Sequence, residues 1–428
     1  MQAIGIDLWP VVLAAAVFSA LYVLFYRRFV FSLLDPLNIF VLTQVCSCVL
    51  AVFFVSEPLM LLQFFAAQIS FWLGFRICFR AQAPAQAMTF TARDMQVAEI
   101  VTVLLLLAWA GANLYVGATV GFPLLSANPS ESKVTSFMGG LGFAKRFNFG
   151  IGVWVPASAL LLAIHGEHRR MFKFVFFLSV LITALGGSKG GLLSFLYIIG
   201  YTTAREGMGR KWIRFSRVLG VSAFAIVMIV LIRENGSLVD GLAGLMKRVL
   251  FYGDVVIYYY KPEIMHHFAN LGVKDFLLSE LNPILGALRL TPYQDPLGYQ
   301  MVNYSLGNYT LATIMGPNTL FFVRGHVYFG ILGGTLYAAT IGYIVARVRR
   351  WYFESKVHTP IATASLLCFA VLIFYLPLES PLFVSSAFDT FIPVGVCFCV
   401  AKISVYALRH VHDEALRVTG SRAFPNAV

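Results

Sequence analysis

Long apolar segments recur from one end of this chain to the other and leave few residues to face water. Of the 428 residues, 59% are apolar and only 12% are charged, whereas an ordinary soluble domain has about 25% charged residues. A soluble fold of this length would lack the polar surface to cover so large a core. The pattern excludes a soluble globular protein, a disordered chain and a disulfide-stapled secreted protein. It predicts a polytopic membrane protein.

The apolar segments predict an all-α fold with about eleven transmembrane helices in a single domain, residues 1–428. The predicted spans are 7–26, 36–55, 58–78, 97–118, 147–165, 171–186, 190–204, 218–232, 319–346, 359–377 and 388–405. The sixth and seventh spans are short and flank the run Gly186-Gly187-Ser188-Lys189-Gly190-Gly191. We expect a tight helix–turn–helix corner there.

The basic residues predict which side of the membrane each loop faces. The chain has 32 Lys and Arg against 20 Asp and Glu, a formal net charge of +12. Most of these cations fall in every second loop and at the C-terminus, and cytoplasmic loops collect Lys and Arg. We therefore expect the N-terminus outside and the C-terminus inside. The positive charge then reflects membrane topology, and we expect no nucleic-acid partner.

Two loops on the predicted outer side stand out by their length, 119–146 and 233–318. Loops longer than about 15 residues usually carry function. The larger loop lies between spans 8 and 9 and is far longer than any other. We expect it to contain most of the active site.

Three arginines lie at positions suited to an anionic ligand. Arg233 precedes the large loop, Arg289 lies within it, and Arg324 follows it near the outer end of span 9. The planar guanidinium binds phosphate oxygens in a bidentate manner. The alternative is that these side chains reach lipid headgroups or pair with acidic residues of the loop. Those acidic residues are Glu234, Asp240 and Asp295.

His326 is the first candidate for a general base, because imidazole titrates near neutral pH and an ionisable group within a span is costly. Glu234 and Asp240 are weaker candidates for the same role. The alternative is a core histidine whose hydrogen bonds are satisfied. Arg324 and His326 are two residues apart, which separates their side chains by about 200° on a helix. They can share one site only if the helix enters it end-on or is irregular around Gly325.

Tyrosine and asparagine side chains of the large loop suit a carbohydrate ligand. Aromatic rings stack on pyranose faces, and amides donate to and accept from sugar hydroxyls. The alternative for the tyrosines is the aromatic belt at a membrane–water interface. The predicted sugar-binding residues are Tyr258, Tyr259, Asn303, Tyr304, Asn308 and Tyr309.

Motifs for other chemistries are missing from the sequence. No Gly-rich loop ends in Gly-Lys-Ser/Thr, and no His is followed by Glu as a zinc helix requires. Many membrane glycosyltransferases carry an acidic pair in their first outward loop, and this chain has none there. We therefore expect neither a metal ion nor another cofactor.

The chain resembles the Wzy-type O-antigen polymerases. The resemblance rests on the eleven-span layout with one large late outward loop, on the Gly186–Gly191 turn, and on the segment from Pro317 to Gly333. That family is also noted for an Arg followed, after ten residues, by Gly in its periplasmic loops. Arg233 and Gly244 have this spacing, whereas Arg289 and Arg324 do not.

This resemblance implies a GT-C-like polymerase or ligase architecture and glycosyl transfer at the periplasmic face of the bacterial inner membrane. Donor and acceptor would both be undecaprenyl-diphosphate-linked oligosaccharides. The transfer would invert the anomeric centre without a metal and release undecaprenyl diphosphate. The implied partners are these lipid-linked glycans, the surrounding membrane lipids and a chain-length regulator.

Three other functions stay open from the sequence. An O-antigen ligase shares the architecture and transfers the glycan to the lipid A core. A lipid-linked oligosaccharide flippase or another transporter would be expected to have internal symmetry and short loops. A scaffold without chemistry would leave the arginines at both ends of the large loop unexplained.

We predict that reporter fusions after Arg217 and at Asn303 report opposite sides of the membrane. The reason is that span 8 lies between them, with a cation-rich loop before it and the large loop after it. Paired alkaline phosphatase and green fluorescent protein fusions measure this directly. The same side for both positions would contradict the topology.

Overall fold

The computed structural model describes residues 8–78, 89–126, 141–207, 210–237, 249–269, 271–307, 316–356 and 359–420, with isolated positions from 129 to 136 and from 240 to 245. All regular structure in these ranges is helical, and none of it is strand. The all-α prediction is therefore confirmed for the described residues.

The α-helices are numbered along the described chain, and three short 3₁₀ turns, Pro123–Leu125, Phe251–Gly253 and Ile373–Tyr375, lie between them. The helices are α1 Leu8–Tyr26, α2 Leu37–Phe54, α3 Pro58–Cys78, α4 Ala92–Val120, α5 Gly142–Phe149, α6 Ile151–His165, α7 Arg169–Leu185, α8 Lys189–Glu206, α9 Arg210–Asn235, α10 Val255–Tyr259, α11 Pro262–Phe268, α12 Val273–Ala287, α13 Leu297–Ser305, α14 Phe321–Glu354, α15 Pro360–Leu372 and α16 Ser380–Gly420.

A helix coincides with each of the eleven predicted spans. Within the described ranges, seven helical segments are long and apolar enough to cross a membrane, and they lie in α1, α2, α3, α4, α6, α14 and α16. Shorter apolar stretches occupy Gly220–Ile232 of α9 and Pro360–Tyr375. A polytopic membrane-type helical protein is thus confirmed, while eleven crossings remain a prediction.

The predicted corner between the sixth and seventh spans is present. Helix α7 ends at Leu185, and Gly187 has a φ of +66°, a left-handed conformation that favours glycine. Ser188 then caps α8, since its side chain accepts a hydrogen bond from the Gly191 amide at 3.1 Å. The chain therefore turns within three residues.

Helix α6 forms the centre of the bundle. The apolar segment Arg146–His165, which includes α6, is 82% buried, whereas the apolar segment Trp9–Tyr26 of α1 is only 17% buried. Trp154 of α6 and Trp109 of α4 are both essentially inaccessible to solvent. Trp154 donates from its indole nitrogen to Ser365 Oγ of α15 at 3.0 Å. The most buried helices are thus also linked by polar contacts.

Helices α3 and α14 cross with their backbones in contact. A Cβ atom on Gly74 would lie 1.9 Å from the Ala339 carbonyl oxygen, and one on Gly342 would lie 2.1 Å from the Phe71 carbonyl oxygen. Only glycine fits at these two positions. Small residues at such a crossing allow the close approach that drives helix association in membranes.

Helix α14 is not the continuous span that the sequence predicts. Gly330 has a φ of 67° and a ψ of −164°, which breaks the helix. A Cβ on Gly325 would lie 2.9 Å from the Gly334 carbonyl oxygen, although nine residues of straight helix separate two positions by about 13.5 Å. The chain therefore reverses at Gly330. Residues 321–329 form a short helix packed against the longer helix that begins at residue 331.

A buried ion pair joins the first described loop to the far end of α14. Arg349 donates to both carboxylate oxygens of Asp35, at 2.5 and 2.8 Å, and to the Phe29 carbonyl oxygen at 3.0 Å. The Asp35 side chain is fully buried. A bidentate pair with additional hydrogen bonds is the arrangement that offsets the desolvation of both charges.

We predict that Arg349→Met lowers the thermal unfolding midpoint of the detergent-solubilised protein. Removing one partner leaves the Asp35 carboxylate buried without a counterion, which costs about 3–5 kcal/mol. The neighbouring Arg350→Met is the matched control, because its pair with Glu354 is partly exposed and worth about 0.3–0.5 kcal/mol. Equal midpoints for the two variants would show that the buried pair does not stabilise the fold.

Candidate functional site

The guanidinium of Arg324 is buried at the centre of a polar cluster, with 1% of the residue exposed. Its Nε donates to Glu280 Oε1 at 2.8 Å, and its two terminal nitrogens donate to Ser279 Oγ at 2.7 Å and to Thr319 Oγ1 at 2.9 Å. A longer contact of 3.3 Å reaches Glu379 Oε1. One side chain therefore connects α12, the segment before α14 and the turn before α16.

The partners of Arg324 differ from those that the sequence suggested. The carboxylates are Glu280 and Glu379, which are 44 and 55 residues away in sequence, and not the loop residues Glu234, Asp240 or Asp295. A ligand phosphate would have to displace these buried groups to reach the guanidinium. Arg324 therefore holds neighbouring side chains in position and does not itself face a ligand.

The two carboxylates of this cluster are bound differently. Glu280 Oε1 accepts from Arg324 and from the Ser380 hydroxyl at 2.5 Å. Glu379 accepts from the Thr319 amide at 2.6 Å and from the Thr319 hydroxyl at 2.9 Å. Burial raises the pKa of Glu379, and the nearby Arg324 guanidinium opposes that shift. The cluster therefore has one carboxylate more than its single cation neutralises.

His326 lies on the other side of the short helix. Its Nδ1 and the Tyr259 hydroxyl oxygen of α10 are 2.5 Å apart, and both residues are buried. The helix is broken at Gly330 and not at Gly325, so Arg324 and His326 keep the regular separation of about 200°. The structure thus does not bring these two predicted residues into one site.

A cleft of about 1070 Å³ opens beside the Arg324 cluster. It is lined by α5, by α12 and α13 with the segment between them, by Pro317, Asn318 and Tyr328, and by Glu379 with the first turns of α16. Amide and phenol side chains supply about half of its polar lining. They are Asn282, Gln294, Gln300, Asn318, Tyr293, Tyr299 and Tyr328. Burial raises the pKa of the half-buried Tyr299, whose hydroxyl group is therefore neutral.

Two arginines line this cleft, Arg146 and Arg289. Arg146 of α5 donates to Asp389 Oδ1 of α16 at 2.8 Å and also to the Pro283 carbonyl oxygen. Arg289 is exposed, and its guanidinium has no ion-pair partner among the described residues. In the cleft, Arg146 is therefore already paired with a carboxylate, whereas the Arg289 guanidinium can bind an anionic ligand.

The other predicted site residues lie apart from the cleft. Tyr259 is fully buried against His326, and Tyr258 is half-buried with the Lys261 ammonium 5.9 Å from its ring centre. Asn303 and Tyr304 lie on α13, where the Tyr304 ring stacks on His267 at 4.0 Å. None of these four lines the cleft.

Two predicted groups of residues fall partly or wholly outside the described part of the chain. Arg233 and Glu234 belong to the end of α9, but their side chains are not described, and neither are residues Asn308 and Tyr309. Asp240 is exposed and accepts a hydrogen bond from the Ser237 hydroxyl at 2.6 Å. That contact is local to the start of the large loop.

Two charged residues that line the cleft, Glu379 and Arg146, were not predicted from the sequence. Glu379 stands in Leu378-Glu379-Ser380 between two apolar segments, and Arg146 precedes the fifth span. A search for isolated charges at the ends of all the spans would have found both. In the described ranges, no group of three or more His, Cys, Asp or Glu side chains is placed to hold a metal ion.

Comparison of the chain with protein-family models, with curated proteins and with solved structures finds no match.

We predict that Arg324→Lys lowers the thermal unfolding midpoint, whereas Arg289→Lys leaves it unchanged. A single ammonium group cannot replace the fork that holds Ser279, Glu280 and Thr319 together, and unpaired buried polar groups cost about 1–3 kcal/mol each. Arg289 is the matched control because the same exchange is made at an exposed position. A destabilised Arg289→Lys, or an unaffected Arg324→Lys, would contradict the contrast between the two sites.

Proposed function

We propose that this protein is a glycosyltransferase of the bacterial inner membrane that polymerises undecaprenyl-diphosphate-linked oligosaccharide repeat units into O-antigen or a related surface polysaccharide. The growing glycan moves from its lipid carrier to the non-reducing end of a new repeat unit. The reaction takes place in the cleft, at the periplasmic face, and undecaprenyl diphosphate leaves. It requires no metal ion.

The observation that carries the proposal is the conformation of Arg289 in the cleft. Its φ of 57° makes it the one non-glycine residue with a positive φ in the described ranges. It follows α12 as the left-handed residue of a Schellman motif, with Arg289 N bonded to Gly286 O at 3.1 Å and Leu290 N bonded to Leu285 O at 2.9 Å. Glycine is the usual residue there.

An arginine at this position costs about 1–2 kcal/mol relative to an unstrained residue. Strain of this kind is concentrated at functional sites, where the surrounding structure enforces it. Here the left-handed turn aims an uncommitted guanidinium at the cleft, and a guanidinium binds diphosphate oxygens bidentately. Positive charge at the leaving diphosphate is what glycosyl transfer without a metal needs.

The remaining lining of the cleft suits the glycan. Neutral amides and phenols both donate to and accept from hydroxyl groups. The cleft volume of about 1070 Å³ lies at the upper end of the range of ligand pockets, about 300–1,000 Å³. An oligosaccharide needs this space, since donor and acceptor units must lie in the cleft together.

The proposed orientation, with the N-terminus periplasmic and the C-terminus cytoplasmic, rests on the distribution of Lys and Arg among the loops. The grouping of segment ends agrees with that topology. Arg205 donates to the Ser355 carbonyl oxygen at 2.8 Å, and His168 contacts Glu99 at 3.0 Å, and the topology assigns all four residues to the cytoplasmic ends of their segments. Antiparallel neighbours in a bundle produce this grouping of ends.

A deletion strain tests the proposal through its lipopolysaccharide. Loss of a polymerase leaves lipid A core with a single repeat unit, whereas loss of a ligase leaves bare core. Complementation with the intact gene should restore the full ladder. Bare core in the deletion strain would assign the ligase function, and an unchanged ladder would reject both.

We predict that Arg289→Gly abolishes the ladder in this complementation while it raises the thermal unfolding midpoint. Glycine relieves the left-handed strain by about 1 kcal/mol, but it removes the cation that binds the diphosphate. Arg350→Gly, at a half-buried arginine of α14 that does not line the cleft, should instead keep the ladder. A normal ladder from Arg289→Gly would show that this arginine does not bind the substrate.

A further inference from the structure

A buried carboxylate lies in the wall of the cleft, and binding of the diphosphate does not require it. Glu379 lines the cleft and is 8% exposed, whereas Glu280, its neighbour in the Arg324 cluster, does not line it. Arg324 binds Glu280 at 2.8 Å and Glu379 at 3.3 Å. The guanidinium is therefore closer to Glu280 than to Glu379, and Glu379 is the carboxylate with the weaker ion pair.

The hydrogen bonds of Glu379 leave it acceptor capacity toward the cleft. A carboxylate has about four acceptor positions on its two oxygens. The donors around it are the Thr319 amide, the Thr319 hydroxyl and one Arg324 N–H. Because the hydroxyl carries one hydrogen, it donates to only one of the two oxygens at a time. At least one position stays available on a side chain held firmly by its other bonds.

The other acids of the cleft are placed differently. Asp389 is bound to Arg146 at 2.8 Å. Asp275 is exposed and accepts from the Gly272 amide at the start of α12. Asp295 is half-buried on the segment between α12 and α13, with no cation bound to its side chain among the described residues. Asp389 is also largely buried and held in place, but Arg146 is its direct counterion, whereas the cation beside Glu379 lies closer to Glu280.

We infer that Glu379 is the general base of the proposed transfer and takes the proton of the acceptor hydroxyl. This inference rests on the proposed function. The acceptor oxygen forms a bond to the anomeric carbon of the donor, and the bond from that carbon to the diphosphate oxygen breaks. The electron pair leaves with undecaprenyl diphosphate, whose charge Arg289 stabilises, and the hydroxyl proton passes to Glu379.

This assignment gives the two tasks of the reaction to two different segments of the cleft wall. Arg289 follows the end of α12, and Glu379 precedes α16. General base catalysis contributes about 10²–10⁴-fold to a rate, so loss of the carboxylate should reduce turnover by about 100-fold or more. Glycan binding depends on the amides and tyrosines and should persist.

The experiment uses full-length purified protein and lipid-linked repeat units extracted from the deletion strain. Glu379→Ala should lose transfer and regain part of it in proportion to added formate, because the truncated side chain leaves room for a small carboxylate that the open cleft can admit. Glu280→Ala is the matched control. It removes the other carboxylate of the same cluster from a position behind the wall, and formate should not restore its turnover.

A second variant guards against misfolding of the first. Glu379→Gln keeps the shape of the side chain and accepts from Thr319 through its carbonyl oxygen, although its NH2 group replaces the oxygen that faces Arg324. Its thermal midpoint should therefore fall less than that of Glu379→Ala. Glu379→Gln should bind the lipid-linked repeat units and fail to transfer them. Asp295→Ala, treated with formate in parallel, checks the rival acid of the cleft.

The outcomes separate the inference from the function on which it rests. Transfer by the native chain together with near-native transfer by Glu379→Gln would overturn the role of Glu379 and leave the polymerase proposal standing. Formate rescue of Asp295→Ala in place of Glu379→Ala would move the base to Asp295. No transfer by the native chain would reject the polymerase proposal and the inference with it.

Discussion

The burial of one guanidinium underlies the architecture around the cleft of this protein. Arg324 has almost no exposed surface, and a buried charge is tolerated only with paired, hydrogen-bonded neighbours. Its neighbours come from α12, from the segment before α14 and from the turn before α16. Three parts of the chain that are distant in sequence are thereby fixed around one point, and the cleft lies against that point.

Much of the fold is predictable from the sequence because apolar runs of bilayer length fold into helices almost independently of context. The second and third spans, predicted as 36–55 and 58–78, coincide with α2 and α3 to within one residue at each end. The reversal at Gly330 could not be found in this way. Hydropathy continues unbroken across it, and a positive φ at a single glycine leaves no signature in composition.

The sequence predicted the kinds of side chain that line the candidate site better than it predicted the individual residues. Arginine, amide and phenol groups on the large loop were expected, and the cleft offers all three, but of the predicted residues with described side chains only Arg289 lines it. The amides and phenols of the cleft are others, such as Gln294 and Tyr299. Glu379 and Arg146, which also line the cleft, come from outside the large loop, and their approach to it depends on tertiary packing. Local sequence does not encode that packing.

The break in helix α14 changes the depth in the membrane that each of its residues would occupy. In a straight helix of 34 residues the ends would be about 51 Å apart, longer than the hydrocarbon core of about 30 Å. The reversal leaves residues 331–354 to span about 36 Å and folds the preceding segment back beside them. Depth is thus mirrored about Gly330, and Gly325 and Gly334 lie at one level. Arg324 and His326 therefore belong to the same layer as the start of the long helix.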